Sequence, residues 1–233
     1  MSDLLQNLII LVPQGSEYQA VSKGLQQLPN SKIEIFPIPI GDKPVREYLK
    51  TSGLYTRLFQ QPNSNILVMG LCGSLNPSYG VGDVVVYKEC IYENQVYKCD
   101  ENLTSQISGK LNLNLVRGLI CGTYGGKQRM INSATEKRQL HIASNADVVD
   151  MEGFAILNIL QPLGIAVGML RVVSDDCKHD IPDLNSAIDA AGNLQSLPLA
   201  WAMIRQPLAS VRLIRGSLRS LKVLEKISYQ LYS

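Results

Sequence analysis

The stretch that most limits what this chain can become is residues 164–173, an apolar run that breaks abruptly into Ser174, Asp175 and Asp176. A run that is apolar along its whole length, rather than at alternate positions, reads as a strand covered on both faces. Acids at its end then stand at the carboxyl edge of a sheet, where open α/β folds hold their ligands. Asp175 and Asp176 also have a plainer reading, as turn formers after a strand. Just upstream, residues 150–157 set Glu152 among side chains that otherwise favour the interior.

The rest of the chain alternates in the same sense. Residues 8–12 read as a buried strand ended by Pro13-Gln14-Gly15, and Ser16 with Gln19 has the capping-box spacing for a helix through about residue 28. Glu17 then lies in the first helical turn, at the edge Asp175 shares if the strands run parallel; a first-turn acid also complements the helix dipole. Residues 32–40 read as a second strand and 46–60 as a helix. The buried strand 65–69 runs into Gly70-Leu71-Cys72-Gly73-Ser74, where small residues such as Cys72 and Gly73 let a ligand approach the backbone. That segment is neither a Walker loop nor a GxGxxG turn.

Further on, a strand at 83–92 pairs as a ribbon with 96–98, and a strand at 115–122 precedes the Gly-rich 123–126. Ser133 with Glu136 opens a helix to about residue 143; 148–149 is briefly extended, and 150–160 is helical. This order predicts an α/β fold with a largely parallel or mixed sheet. With no linker, repeat or low-complexity tract, one domain over 1–205 is expected, with 206–233 as a C-terminal helix of that same domain.

Composition excludes several classes. Net charge is +2, yet six Lys or Arg and one Glu fall from Arg205 onward, so the body carries −3 and is no nucleic-acid binder by charge. Cysteines 72, 90, 99, 121 and 177 show no Cys-x-x-Cys, as expected of reduced, buried thiols. With only His141 and His179, neither a metal site nor a His-dependent triad is expected. The first residues lack a basic n-region, and nothing approaches the ~18 continuous apolar residues of a membrane span. The expectation is a cytoplasmic protein, or one peripheral to a membrane.

Four separated segments give the sequence a resemblance to the nucleoside phosphorylase/nucleosidase family. They are the first strand with Glu17; MGLCGSLNPSYGVGDVVV; RMINSA; and DMEGFAI followed by RVVSDD. The resemblance implies a single three-layer α/β/α domain around a twisted mixed sheet, and cleavage of the N-glycosidic bond of a purine nucleoside, adenine favoured. It also implies roles. Asp175 is similar to the acid that assists the base at N7, and the adjoining Ser174, with Cys72 and Gly73, belongs to the substrate site. Glu152 resembles the carboxylate that grips the ribose 2′- and 3′-hydroxyls, and Met151 the residue packed on the sugar. Met130 and Ile131 resemble the segment that covers the base and offers it backbone hydrogen bonds. Glu17 resembles the carboxylate that activates a water, with Arg171 as its orienter.

The chemistry agrees with these roles. Cleavage builds positive charge on the sugar and negative charge on the base, so a carboxylate under the ribose helps. A carboxyl at N7 helps if protonated, which calls for burial or a second carboxylate beside it. Related phosphorylases bring an Arg and a Ser to phosphate where this chain has Val68 and Leu71, and an apolar side chain cannot satisfy a phosphate oxygen. Water is therefore the expected nucleophile and no cofactor is needed, phosphate entering only in the alternative of a purine nucleoside phosphorylase. Related nucleosidases also carry Ser where Leu71 stands, so the water would lose one ligand.

The tail departs from the small nucleosidases. Residues 198–205 read as a short apolar helix and 206–231 as a long one, with Arg212, Arg215, Arg219, Lys222 and Lys226 on one stripe. A helix packed on the body with a solvated basic face is one reading; a surface helix touching anionic lipid through residues 208–231 is another. The RVVSDD, IPDL and tail combination resembles hopanoid-associated members of the family, which implies an adenosyl-lipid substrate. The resemblance further implies a homo-oligomer, a dimer above all. Rival classes are a non-catalytic nucleoside-binding or storage protein and a flavodoxin-like domain; PQGSE, with its Glu17, suits the latter's anion poorly.

Overall fold

The computed structural model describes residues 8–28, 33–60, 64–92, 95–113, 115–120 and 129–233. Within them the strands are β1 (Leu8–Pro13), β2 (Glu34–Ile38), β3 (Asn65–Ser74), β4 (Val84–Tyr92), β5 (Gln95–Lys98), β6 (Leu115–Ile120), β7 (Val148–Asp150) and β8 (Ala166–Asp175). The helices are α1 (Ser16–Leu25), α2 (Asp42–Thr51), α3 (Gly53–Gln60), α4 (Glu101–Leu111), α5 (Ala134–Ser144), α6 (Gly153–Leu160), α7 (Ser196–Arg205) and α8 (Pro207–Gln230).

The sheet is mixed. β2, β1, β3 and β8 run parallel in that order. β4 lies antiparallel to β8 and parallel to β6, β6 parallel to β7, and β7 returns antiparallel to the last residues of β3. The pairings β3, β8, β4, β6, β7 and back to β3 thus close on themselves. β5 adds an antiparallel edge to β4.

Burial on both sides explains the unbroken apolar runs. In β1, Ile9 and Leu11 pack toward one core while Leu8, Ile10 and Val12 pack toward the other. In β8, Val167 and Met169 serve the first core, Leu170 and Val172 the second. The first core is closed by α2, α3 and α6, through Val45, Leu49, Leu58, Ile156 and Leu160. The second is closed by α1, α4 and α8, through Val21, Leu25, Leu103, Ile107, Leu224 and Ile227. Each large aliphatic side chain so buried is worth about 1.5–3 kcal/mol.

α8 reaches the sheet by means of small residues. Ser220 donates to the Val173 carbonyl at 2.5 Å, and a Cβ on Gly216 would fall 2.4 Å from the Ser174 carbonyl oxygen. Arg212, Arg215, Arg219, Lys222 and Lys226 are all exposed, as the stripe implied. Among the described residues no helix is long and apolar enough to cross a membrane.

Several local expectations change. The Ser16/Gln19 capping box does not form: Gly15, at φ +91°, turns the chain out of β1, so Ser16 is already helical and no side chain caps the helix. That helix also ends at Leu25. The helix expected over 46–60 begins at Asp42 and is broken by Ser52, extended at ψ 151°, giving α2 and α3. α4 was not read from the sequence; Asp100 caps it by accepting from Leu103 N–H at 2.8 Å. The Ser133 cap does form, weakly, with Glu136 N–H at 3.4 Å, but the Glu136 carboxylate pairs with Arg129. Cys121 and the Gly-rich 123–126 lie outside the described residues.

Candidate active site

Four strand ends converge on one side of the sheet. β1 stops at Pro13, and Gly15 turns the chain so that Glu17 in α1 lies over the strand end. β3 continues through the glycines as strand, with a register shift between Cys72 and Gly73 that sets Gly73 opposite Asp175 at the end of β8. β7 ends at Asp150, with Met151 and then Glu152 following directly. A cavity of 330 Å³ opens between them, within the roughly 300–1,000 Å³ of small-ligand sites.

Nine of the ten site residues named from the sequence line this cavity: Glu17, Cys72, Gly73, Met130, Ile131, Met151, Glu152, Ser174 and Asp175. The tenth, Arg171, lies wholly buried beneath it on β8. Val68, invoked against phosphate, is not on the cavity at all but packed in the core; Leu71 does line it.

The floor is a cluster of three carboxylates around one guanidinium. Arg171 Nη2 lies 3.4 Å from Glu152 Oε2 and 3.5 Å from Asp150 Oδ1. Glu152 Oε1 also accepts from Gly41 N–H at 3.0 Å. Glu17 Oε2 accepts from Leu71 N–H at 2.6 Å, so that amide serves the protein rather than a ligand. Glu17 and Arg171 meet over Gly70: a Cβ there would fall 2.4 Å from Glu17 Oε2 and 2.5 Å from Arg171 Nη1. Burial dominates the proton affinities. It pushes Glu17 up to about 8, opposed by Arg171 and reinforced by Glu152 and Asp150. It raises Glu152 too, again against Arg171. Arg171 would lose its proton more readily by burial, but Asp150 and Glu152 outweigh that and hold it a cation.

Asp150 was missed because the sequence read it as the first residue of a helix. In the structure α6 starts at Gly153, and Asp150 Oδ1 accepts from the N–H groups of Glu152 at 2.8 Å and Gly153 at 2.7 Å. It thereby fixes the backbone that carries Glu152.

Across the cavity, Asp175 Oδ1 accepts from Ser174 Oγ at 2.7 Å, and Asp175 Oδ2 is ion-paired with Lys137 Nζ from α5. Lys137 is wholly buried and also donates to the Asp176 carbonyl at 3.2 Å. Sequence reasoning asked for burial or a second carboxylate beside Asp175, whereas the structure sets an ammonium there. The signal that was available is a lysine in the first turn of a helix, where the dipole favours anions.

The outer walls are apolar and come from the C-terminal third: Ile181, Leu184, Ile188 and Leu194 before α7, Leu213 and Leu221 on α8. The segment before α7 is tied to Met130, whose N–H donates to Asn185 Oδ1 at 2.6 Å and whose carbonyl accepts from Asn185 Nδ2 at 3.3 Å. Met130 therefore has its backbone groups engaged and offers a ligand mainly its side chain. Among the described residues no Lys or Arg lines the cavity.

The chain is similar to known proteins in sequence and in fold. Residues 56–204 match the sequence model of the phosphorylase superfamily. Among solved structures, a 5′-methylthioadenosine/S-adenosylhomocysteine nucleosidase from Helicobacter pylori, bound to butyl-thio-DADMe-Immucillin-A, superposes with TM-score 0.62 at 14% identity, covering 94% of each chain. A putative nucleosidase of the same description from Borrelia burgdorferi, bound to adenine, gives TM-score 0.63 at 15% identity, over 96% of this chain and 98% of that one. Native futalosine hydrolase of Helicobacter pylori gives 0.57 at 15% identity, over 93% and 99%. At such identities the likeness is one of fold.

Proposed function

The chain belongs to the phosphorylase superfamily, and on that footing we propose that it hydrolyses the N-glycosidic bond of a purine nucleoside, adenine being the favoured base. The observation that carries the reading is the convergence of Glu17, Glu152 and Asp175 on one cavity from α1, the β7–α6 junction and β8. Glu152, held by Gly41 and Arg171, would take the ribose hydroxyls and face the developing cation. Met151 would pack on the sugar. Glu17 would draw the proton from a water at the anomeric carbon, Arg171 steering it toward the ionised form from the far side of Gly70. Asp175 would meet N7 as the base departs. The adenine bound by the Borrelia burgdorferi protein supports the choice of base.

Water rather than phosphate is favoured because the lining found here holds carboxylates and no Lys or Arg, and a buried dianion needs paired cations. The test is release of free base from methylthioadenosine, S-adenosylhomocysteine, adenosine and inosine, each with and without phosphate. Release of adenine without phosphate is expected; release only with phosphate would show a phosphorylase, and binding without turnover a nucleoside-binding protein.

The C-terminal region gives the finer reading a specific observation. Leu197, Trp201, Ile204 and Leu208 are 62–85% exposed, and Arg205 stacks on Trp201 with its guanidinium carbon 5.6 Å from the ring. No acid occurs from residue 190 to 224, while Arg205, Arg212, Arg215, Arg219 and Lys222 do. An apolar face rimmed by arginines fits an anionic bilayer, and the apolar wall supplied by α8 fits a lipid-like 5′ substituent on the adenosine. Deleting α8 cannot test this, since Leu224, Ile227 and Leu231 belong to the core. Instead, Leu197→Ser with Trp201→Ser should abolish sedimentation with phosphatidylglycerol vesicles at unchanged hydrolysis of methylthioadenosine. A fall in solution mass from dimer to monomer in that variant, without vesicle binding by either protein, would assign the face to a second copy instead.

A further inference from the structure

A buried lysine with one counter-ion is a poor device for stability. Lysines are almost never fully buried unless paired, and a buried ion pair is often matched or bettered by apolar side chains of equal volume. Lys137 is nevertheless wholly buried, in the first turn of α5, against the sense of the helix dipole. Its ammonium touches Asp175 Oδ2 and the Asp176 carbonyl, and it does not line the cavity. It therefore stands behind Asp175 and acts only through it. The charged groups nearest on the packed elements point elsewhere: Arg138 donates to the Cys177 carbonyl, and Asp176 holds His179.

Asp175 in this setting is an acceptor on both oxygens, from Ser174 Oγ on one and Lys137 Nζ on the other. A carboxylate so held has no proton of its own to give. The departing base needs one at N7. We propose that Lys137 is a positioning residue that supplies this proton through Asp175. In the step, the C1′–N9 bond breaks and its electrons go to the base. The Lys137 ammonium passes a proton to the Asp175 carboxylate, which delivers a proton to N7. Lys137 is left as a neutral amine and Asp175 returns as carboxylate. Water adds to C1′ and leaves its own proton on Glu17, and exchange with solvent then discharges Glu17 and recharges Lys137. The inference rests on the glycosidase reading above and adds the source of the N7 proton.

The experiment compares wild type, Lys137→Met, Lys137→Gln and Lys137→Arg, each checked for folding by circular dichroism, on methylthioadenosine and on p-nitrophenyl riboside, whose phenolate leaves without a proton. General acids contribute about 10²–10⁴-fold, so kcat on methylthioadenosine should fall at least a hundredfold in Met and Gln, at little change in KM. The aryl riboside should lose less than tenfold. Arg keeps the positive charge but cannot be deprotonated, so it should leave kcat on methylthioadenosine as low as Met does. Rescue by Arg to near wild-type kcat would overturn the relay and leave Lys137 a mere counter-ion. Equal losses on both substrates, or no loss on either, would overturn it as well. Should wild type hydrolyse neither substrate, nor an adenosine bearing a long alkyl chain at the 5′ position, the glycosidase reading itself fails, and the relay with it.

Discussion

The cavity has two carboxylate sites that share a construction and differ in charge balance. On the floor, Glu17, Asp150 and Glu152 surround one buried arginine. On the facing wall, Asp175 meets one buried lysine. Burial pushes Glu17 up to about 8, with Arg171 opposing and Glu152 and Asp150 adding to it, so the floor retains a proton. The wall has one acid to one cation and is balanced as it stands. The contrast teaches that where one buried cation faces three acids, burial and the neighbouring carboxylates keep a proton on the floor.

The largest break in that contrast is removal of the floor's cation. Arg171→Met leaves Asp150 and Glu152 buried without their cation, and breaking a buried pair from one side costs about 3–5 kcal/mol. A drop of that size in the unfolding free energy from urea titration, seen as a lower midpoint, is expected with activity lost. A midpoint within experimental error of wild type would mean that the floor is wetter than its burial implies.

Next is the retained proton itself. Between pH 4.5 and about 8 the folded chain keeps a proton on Glu17 that the unfolded chain has released. Stability therefore falls as pH rises through that window, by at most about 5 kcal/mol, and the loss is complete above it. Glu17→Gln cannot titrate, and its amide oxygen still accepts from Leu71 N–H. Melting temperature measured against pH should decline less from pH 5 to 8 in the variant. As Glu17 is also the proposed base, kcat/KM of wild type should rise toward pH 8, and a flat profile would remove it from that role.

A smaller effect on stability comes from forcing apart the floor's two members that are closest to Gly70. Gly70→Ala puts a methyl 2.4 Å from Glu17 Oε2 and 2.5 Å from Arg171 Nη1, and overpacking of this kind costs about 1–3 kcal/mol. Hydrolysis should fall far more than stability, since Glu17 must swing away from the position Leu71 N–H gives it. Comparable kcat in the variant would detach catalysis from this geometry.

How far the two sites could be read from sequence follows from the range of the interactions. The strands were legible because both faces of β1 and β8 are buried, which leaves an unbroken apolar run. Glu17, Glu152 and Asp175 were legible as acids set at the ends of such runs, within wording similar to a known family. Lys137 was not, because a lysine in a helix reads as solvated, and its partner lies 38 residues away. Asp150 was taken for a helical residue because its capping of Gly153 looks, in sequence, like the helix itself. α4 was not read although Leu103, Ile107 and Leu111, set four residues apart, face the second core; the helical spacing was there, but diluted among polar neighbours. Arg171 is expected from the sequence beside the water; its place in the buried floor depends on β8 lying next to β3, which no local pattern encodes.

The smallest expected effect sharpens the wall rather than the floor. Ser174 Oγ lies 2.7 Å from Asp175 Oδ1 and 3.1 Å from the Cys72 carbonyl, and has one hydrogen to share between them. Ser174→Ala removes a single hydroxyl bond and leaves Lys137 on Oδ2, so stability should drop by only about 1 kcal/mol. The rate on methylthioadenosine should fall by about tenfold or less, well short of the loss from Lys137→Met. If the hydroxyl rather than the ammonium governs the wall, the order of the two losses reverses. Measuring kcat for both variants on one substrate decides which donor Asp175 depends on, and so whether the wall's balance comes from its charge or from its hydrogen bond.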